Sequence, residues 1–225
     1  MKVVRLAWVL TLALMIMPPT TVAQTLEQLW QQGETAQAQK KYQEAERIGR
    51  QIIQLDPNSA VAFSNLCAAL FRQNKLDEAL IFCQKALALD PKLPETYKNI
   101  GNVLYFQKKL TEAEEMYRRA LALDDKLAPA YNNLGIVLSD QKKLKEAEEM
   151  YRRALALDDK LAPAYNNLGI VLSDQKKLTE AEEMYRRALA LDDKLAPAYN
   201  NLGIVLSDQK KLTEAEEMYR RALAL

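Results

Sequence analysis

From residue 26 onward, apolar positions fall at i, i+3, i+4 and i+7, with short polar stretches between, and the whole pattern returns every 34 residues. The string "AYNNLGIVLSDQKKL" begins at Ala130, Ala164 and Ala198. Within one copy, Tyr131, Leu134, Gly135 and Leu138 form one helical stripe. Beyond "SDQKK", Ala147, Met150, Tyr151, Ala154 and Leu155 form a second. Pro129 suits a first helical turn, where its missing N–H leaves no bond unmade. Each period therefore predicts a helical hairpin. Six such units follow one another: a degenerate one at 26–59, then 60–93, 94–127, 128–161, 162–195 and 196–225, the last four residues short. A period of this length predicts an all-α solenoid, in which no unit can bury its apolar face alone.

Local signals refine the hairpin. "TEAE" offers Thr111, Thr179 and Thr213 as N-caps, with Glu114, Glu182 and Glu216 three residues on, the spacing of a capping box. Lys145 breaks that box in the fourth unit, which predicts a second helix weaker by about 1 kcal/mol. Gly101, Gly135, Gly169 and Gly203 on the first helix, and Ala113, Ala147, Ala181 and Ala215 on the second, mark where two backbones should approach. A helical Gly costs about 1 kcal/mol against Ala, so one in every unit requires such a contact. Large side chains such as Tyr131, Leu134, Leu138 and Tyr151 would then fill the space between hairpins. The last three units differ only at Lys145, Thr179 and Thr213 over their shared length, which reads as internal duplication.

Tyr131-x-x-Leu134-Gly135-x-x-Leu138, followed by Ala147-x-x-x-Tyr151 and Ala154, resembles the tetratricopeptide repeat. The likeness runs from 26 to the C-terminus and is weakest in the first unit, where Gly33, Ala45 and Pro57 hold the pattern. The family's closing Pro stands at Pro57 and Pro91 but gives way to Asp125, Asp159 and Asp193, which predicts looser turns between the later units. The resemblance implies a right-handed α-solenoid whose first helices line a groove, used as a protein-binding scaffold. Some members of the family hold a partner's C-terminal carboxylate in a clamp. Lys98, Asn102 and Asn133 match its first part, but Pro163 and Asn167 stand where the second basic pair should be.

The N-terminus reads differently. Lys2 and Arg5 precede an apolar run over 6–17, then Pro18, Pro19, Thr21, Val22 and Ala23. This predicts a signal peptide over 1–23, cut after Ala23, and export to a periplasmic or extracellular space. The apolar run falls short of the roughly 20 residues a spanning helix needs, although an uncleaved anchor is the competing reading. Basic and acidic residues balance to a net charge of +1, so nothing steers the chain to nucleic acid or, beyond the export signal, to a membrane. The chain has no His, and no phosphate loop, clustered metal ligands or nucleophile–base pair stands out. No enzyme activity and no cofactor are expected.

One column does not serve the core. Asn65, Asn99, Asn133, Asn167 and Asn201 recur once per unit, although Asn is a poor helix former. An amide can donate to and accept from a peptide backbone at once, so a ladder of them could grip an extended peptide. Alternatively, the amides bond to neighbouring helices or descend from one duplicated unit. Beside the ladder, Arg72, Lys98, Asn102 and Tyr105, with Phe71 and Phe106, mix basic and aromatic groups as binding surfaces do. Cys67 takes the place of the first-helix Gly and Cys83 that of the second-helix Tyr, level with each other across the hairpin; outside the cytoplasm this pair is a disulfide candidate. At the far end, Tyr199, Leu202, Leu206, Met218, Tyr219 and Leu223 have no following hairpin. This predicts either a longer natural chain or self-association through the last repeat. The functional readings are thus an exported scaffold for a protein or peptide partner, a self-assembling envelope module, or the substrate-recruiting arm of a larger enzyme.

Overall fold

The computed structural model describes residues 19–225. Among them are twelve helices and no strand: α1 Pro19–Ala38, α2 Tyr42–Leu55, α3 Ala60–Arg72, α4 Leu76–Leu89, α5 Pro94–Phe106, α6 Leu110–Leu123, α7 Ala128–Asp140, α8 Leu144–Leu157, α9 Ala162–Asp174, α10 Leu178–Leu191, α11 Ala196–Asp208 and α12 Leu212–Leu223. The expected leader lies outside the described residues, apart from 19–23, which open α1. The chain is an all-α solenoid of six helical hairpins. It divides into a unit ending at Asn99 and a unit running from Ile100 to Leu225. In the first, α1 packs on α2, α2 on α3 and α3 on α4; in the second, each helix from α6 to α12 packs on the next.

Each hairpin reverses through the same device. Lys40, Asn74, Lys108, Lys142, Lys176 and Lys210 adopt positive φ of 58–66°. At Lys176 the amide N–H donates to Ser173 C=O (2.9 Å), and that of Lys177 donates to Leu172 C=O (2.9 Å). This pair of bonds is a Schellman motif, here with Lys where Gly is usual. The motif also explains why the expected capping box does not form. Lys177 becomes the N-cap of α10, its C=O accepting from Ala181 N–H, so Thr179 already lies inside the helix. No side chain caps α6, α8, α10 or α12, and Lys145 therefore breaks nothing. Glu114 and Glu182 serve elsewhere: Glu182 accepts from Lys211 Nζ (2.8 Å) and from Arg186 (2.9 Å), and Glu114 likewise from Lys143 (2.9 Å) and Arg118 (2.9 Å). Glu216 pairs with Arg220.

The turns between hairpins are equally uniform. Asp90, Asp124, Asp158 and Asp192 each accept, through Oδ1, the amide N–H two residues on, at 2.8–3.0 Å. The turn that carries Pro91 and those that carry Asp125, Asp159 or Asp193 are closed by this same Asx bond. The loosening expected from the lost Pro does not occur, because the preceding Asp holds the turn.

The glycines do meet something, but not the opposing alanines. A Cβ built at Gly101, Gly135, Gly169 or Gly203 would stand 2.6–2.7 Å from the ring of Tyr117, Tyr151, Tyr185 or Tyr219. The Tyr ring of the second helix lies flat against the Gly of the first, inside its own hairpin rather than between hairpins. Cys67 and Cys83 occupy this Gly–Tyr station in the second hairpin. They are joined by a disulfide, with Cα atoms 5.3 Å apart and a sequence separation of 16. At the far end, Tyr199, Leu202, Leu206 and Met218 are buried by α12 and the preceding hairpin, while Leu223 is exposed. The uncovered apolar face is thus smaller than the sequence pattern suggests.

Candidate functional site

The ladder asparagines are positioned by α3, α5, α7, α9 and α11, and the amides of Asn133, Asn167 and Asn201 bond to asparagines outside the column. In the second unit Asn201 Nδ2 donates to Asn166 Oδ1 (3.1 Å), Asn166 to Asn167 (3.5 Å) and Asn167 to Asn132 (3.3 Å). Asn132 then donates to Asn133 (3.1 Å), and Asn133 to Asn102 (2.8 Å). Asn102 Oδ1 also accepts the hydroxyl of Tyr117 at 2.7 Å. The result is a relay of side-chain amides in which each bond between hairpins is donated toward the N-terminus and each bond within a helix joins adjacent asparagines. Its other members, Asn132 and Asn166, are not in the ladder column; the doubled "NN" of each copy is the signal that could have found them. Each of these amides spends one of its two N–H donors in the relay, which leaves the other for a further partner.

In the first unit the column behaves differently. Asn99 is buried, and its Nδ2 donates to both the carbonyl and the hydroxyl of Ser64 (3.3 Å each). Asn65 is exposed, and only its backbone carbonyl is engaged, by Gln37 Nε2 at 3.3 Å. Both residues line a cleft of about 390 Å³ between the first helices α1, α3 and α5. Its floor is small and apolar, formed by Gly33, Ala45, Gly49 and Ala62 with Ile48 and Ile52. Its rim carries Trp30, Glu34, Glu95 and Lys98. Burial holds the Lys98 ammonium below its usual range, and Arg72 pushes it further down, while Glu95 partly restores it. A half-buried ammonium beside an apolar floor is arranged to meet an anionic or strongly polar group of a ligand.

The remaining expected site residues are spread more widely. Arg72 is exposed, its guanidinium 5.8 Å from the Phe71 ring centroid. Tyr105 donates its hydroxyl to Asp140 Oδ2 at 2.9 Å; burial, then this bond and the charge behind it, push its pKa up to about 12. Phe106 packs edge-on to Tyr105 at 5.9 Å and is 56% exposed. Thus Lys98, Asn65 and Asn99 share the cleft, whereas Asn102, Asn133, Asn167 and Asn201 join the relay. The first-unit members Trp30, Glu34 and Gln37 escape a repeat-based reading because that unit matches the repeat least. Among the described residues no group of His, Cys, Asp and Glu side chains could hold a metal ion. None of the described helices is long and apolar enough to cross a membrane.

A tetratricopeptide repeat profile matches at 58–126, 92–160, 126–194 and 160–225, four overlapping windows. No curated protein matches the chain in sequence. Among solved structures, YrrB, a tetratricopeptide protein described as having an unusual peptide-binding site, is 27% identical over 78% of this chain and 91% of its own, with a TM-score of 0.62. The Pseudomonas aeruginosa protein pilF is 20% identical over 88% of this chain and 90% of its own, at 0.76. A chain of the APC/C hetero-tetramer Cut9–Hcn1 is 21% identical over 85% of this chain and 38% of its own, at 0.79. At their identities, the latter two bear on the fold alone.

Proposed function

Because the chain belongs to the tetratricopeptide repeat family, we propose that it is a non-catalytic interaction scaffold that takes an extended peptide segment of a partner protein in the cleft between α1, α3 and α5. The carrying observation is the make-up of that cleft: an apolar floor ringed by Trp30, Glu34, Asn65 and Lys98. Neither Glu34 nor Lys98 has an ion-pair partner within 4 Å among the described residues. The volume falls within the range of ligand-binding pockets, and an apolar floor with few convergent polar groups is their usual composition. The peptide-binding site of YrrB is in keeping with this use of the fold.

A display library of unstructured peptides, panned on the full chain, tests the reading. Enriched peptides should bind the parent and lose most of their affinity to Lys98→Glu and to Trp30→Ala, with helicity unchanged by circular dichroism. Enriched peptides indifferent to both substitutions would sink the assignment to this cleft.

Export completes the proposal. The leader over 1–23 and the Cys67–Cys83 bridge both suit an oxidising compartment. Mass analysis of protein expressed with its leader should find a chain beginning at Gln24 with the two cysteine peptides joined. An intact Met1 together with two free thiols would refute it.

A further inference from the structure

The cleft has an internal template. Two periods of 34 residues separate Gly33 from Gly101, Glu34 from Asn102, Asn65 from Asn133 and Gly49 from Tyr117. At the later station Tyr117 lays its ring on Gly101 and donates its hydroxyl to Asn102 Oδ1 at 2.7 Å, and Asn133 Nδ2 donates to the same oxygen at 2.8 Å. The earlier station keeps three of these four parts. Gly33 supplies the bare backbone, Glu34 stands in the acceptor's place and Asn65 in that of the second donor. The fourth part is missing, because Gly49 has no side chain.

No ring of this hairpin covers Gly33. A Cβ at Gly33 would meet only Ile48 Cγ2, at 3.4 Å, and one at Gly49 would meet Leu66 at 3.5 Å, whereas at Gly101 the ring stands within 2.7–2.9 Å. Gly33, Glu34, Gly49 and Asn65 all line the cleft. The other stations are filled as well: by Tyr at Gly135, Gly169 and Gly203, and by the disulfide at Cys67. The first hairpin has neither ring nor disulfide against its glycine; only a methyl of Ile48 stands across from it.

We propose that this vacancy is a specificity slot for a tyrosine side chain supplied by the bound partner. The inference rests on the peptide-scaffold reading above and gives it a chemical class. The partner's ring takes the position that Tyr117 holds in its own hairpin, flat on Gly33. Its hydroxyl donates to the Glu34 carboxylate, as Tyr117 donates to Asn102. Trp30, one turn before Glu34 on α1, supplies an aromatic neighbour at the wall. Two selections follow. Phenylalanine leaves the carboxylate without its donor, and losing a hydrogen bond to a charged acceptor corresponds to roughly tenfold in affinity. Phosphotyrosine is rejected, because its phosphate would be driven against Glu34.

The test uses the full chain and N-acetyl-tyrosinamide, followed by protein NMR at the Gly33, Gly49 and Trp30 signals, with N-acetyl-phenylalaninamide and N-acetyl-leucinamide alongside. Tyrosinamide should shift these signals, with phenylalaninamide binding roughly tenfold more weakly. Glu34→Ala should bind the two aromatic amides equally. Gly49→Tyr, which restores the ring from within, should abolish uptake and raise the denaturation midpoint. Absence of tyrosinamide binding, or equal binding of leucinamide by the parent, would overturn the slot. If library peptides still bind in the cleft without a tyrosine, the slot fails and the scaffold reading stands. If tyrosinamide binds and no peptide does, the slot stands and the scaffold reading fails. Should Gly49→Tyr not fold, the Glu34→Ala comparison decides alone.

Discussion

Gly169→Ala sets two known effects against each other at one atom. Alanine is the better helix former by about 1 kcal/mol, so on propensity alone the change should stabilise α9. The added Cβ, however, would stand 2.6 Å from Cε1 of Tyr185 and 2.9 Å from Cδ1 and Cζ. Carbon atoms rest at about 3.5–4.0 Å, so ring and helix must part by about 1 Å. The ring is only 2% exposed and cannot swing into solvent. Overpacking of this kind costs about 1–3 kcal/mol, which leaves a net loss of about 1 kcal/mol after the propensity gain. In a Tyr185→Ala background the obstacle is gone, and the same Gly169→Ala should stabilise by about 1 kcal/mol. Gly33→Ala is the control within the chain, since its Cβ meets nothing nearer than Ile48 Cγ2 at 3.4 Å; it too should stabilise. Urea denaturation followed by far-UV circular dichroism reads all of these as midpoint shifts at constant slope. If Gly169→Ala stabilises the parent as it does the Tyr185→Ala background, the contact does not explain the glycine.

Lys176→Gly should stabilise by about 0.5–1 kcal/mol in the same assay: a left-handed L-residue costs about 1–2 kcal/mol, partly offset by the greater unfolded freedom of Gly. A loss on substitution would mean that the lysine side chain contributes more than its backbone strain removes. Acid should act through Glu46. Burial works against its charge, but hydrogen bonds from Lys75, Arg50 and Gln73 outweigh this and bring its pKa from 4.5 to about 2. A lowered carboxylate contributes stability above pH 4.5 and loses it as pH falls toward 2. Thermal midpoints of the parent should therefore fall more steeply across that window than those of Glu46→Gln; parallel curves would remove Glu46 as the cause.

The hairpins and their boundaries were legible because period and apolar stripe are properties of side chains that are present. Partners were harder to read. Gly135 signalled a close approach, but only the structure shows Tyr151 as the approaching group, since both Ala147 and Tyr151 lie on the facing stripe. Thr179 and Glu182 have capping-box spacing, yet the left-handed residue at Lys176 starts the helix too early for them. The cleft was least visible, because it arises from a side chain that Gly49 lacks. A pattern of matches ranks such a unit as merely degenerate.

The amide relay bears on how such a chain can change its length. Asn201, Asn167 and Asn133 each hand a proton donor to the preceding copy, and Asn166 and Asn132 each receive one. Any internal copy is therefore both giver and receiver, with identical chemistry at its two edges. Excising one cassette of 34 residues, or inserting another, leaves no stranded amide at the seam: the incoming donor finds the same acceptor it had before. The ion pairs Arg152–Glu180 and Arg186–Glu214 join copies by the same rule. Unequal exchange between near-identical stretches of the gene would thus yield chains of different reach, each with its seams already mated. Such exchange among the near-identical copies leaves the divergent helices α1, α2, α3 and α5, and the cleft they line, untouched.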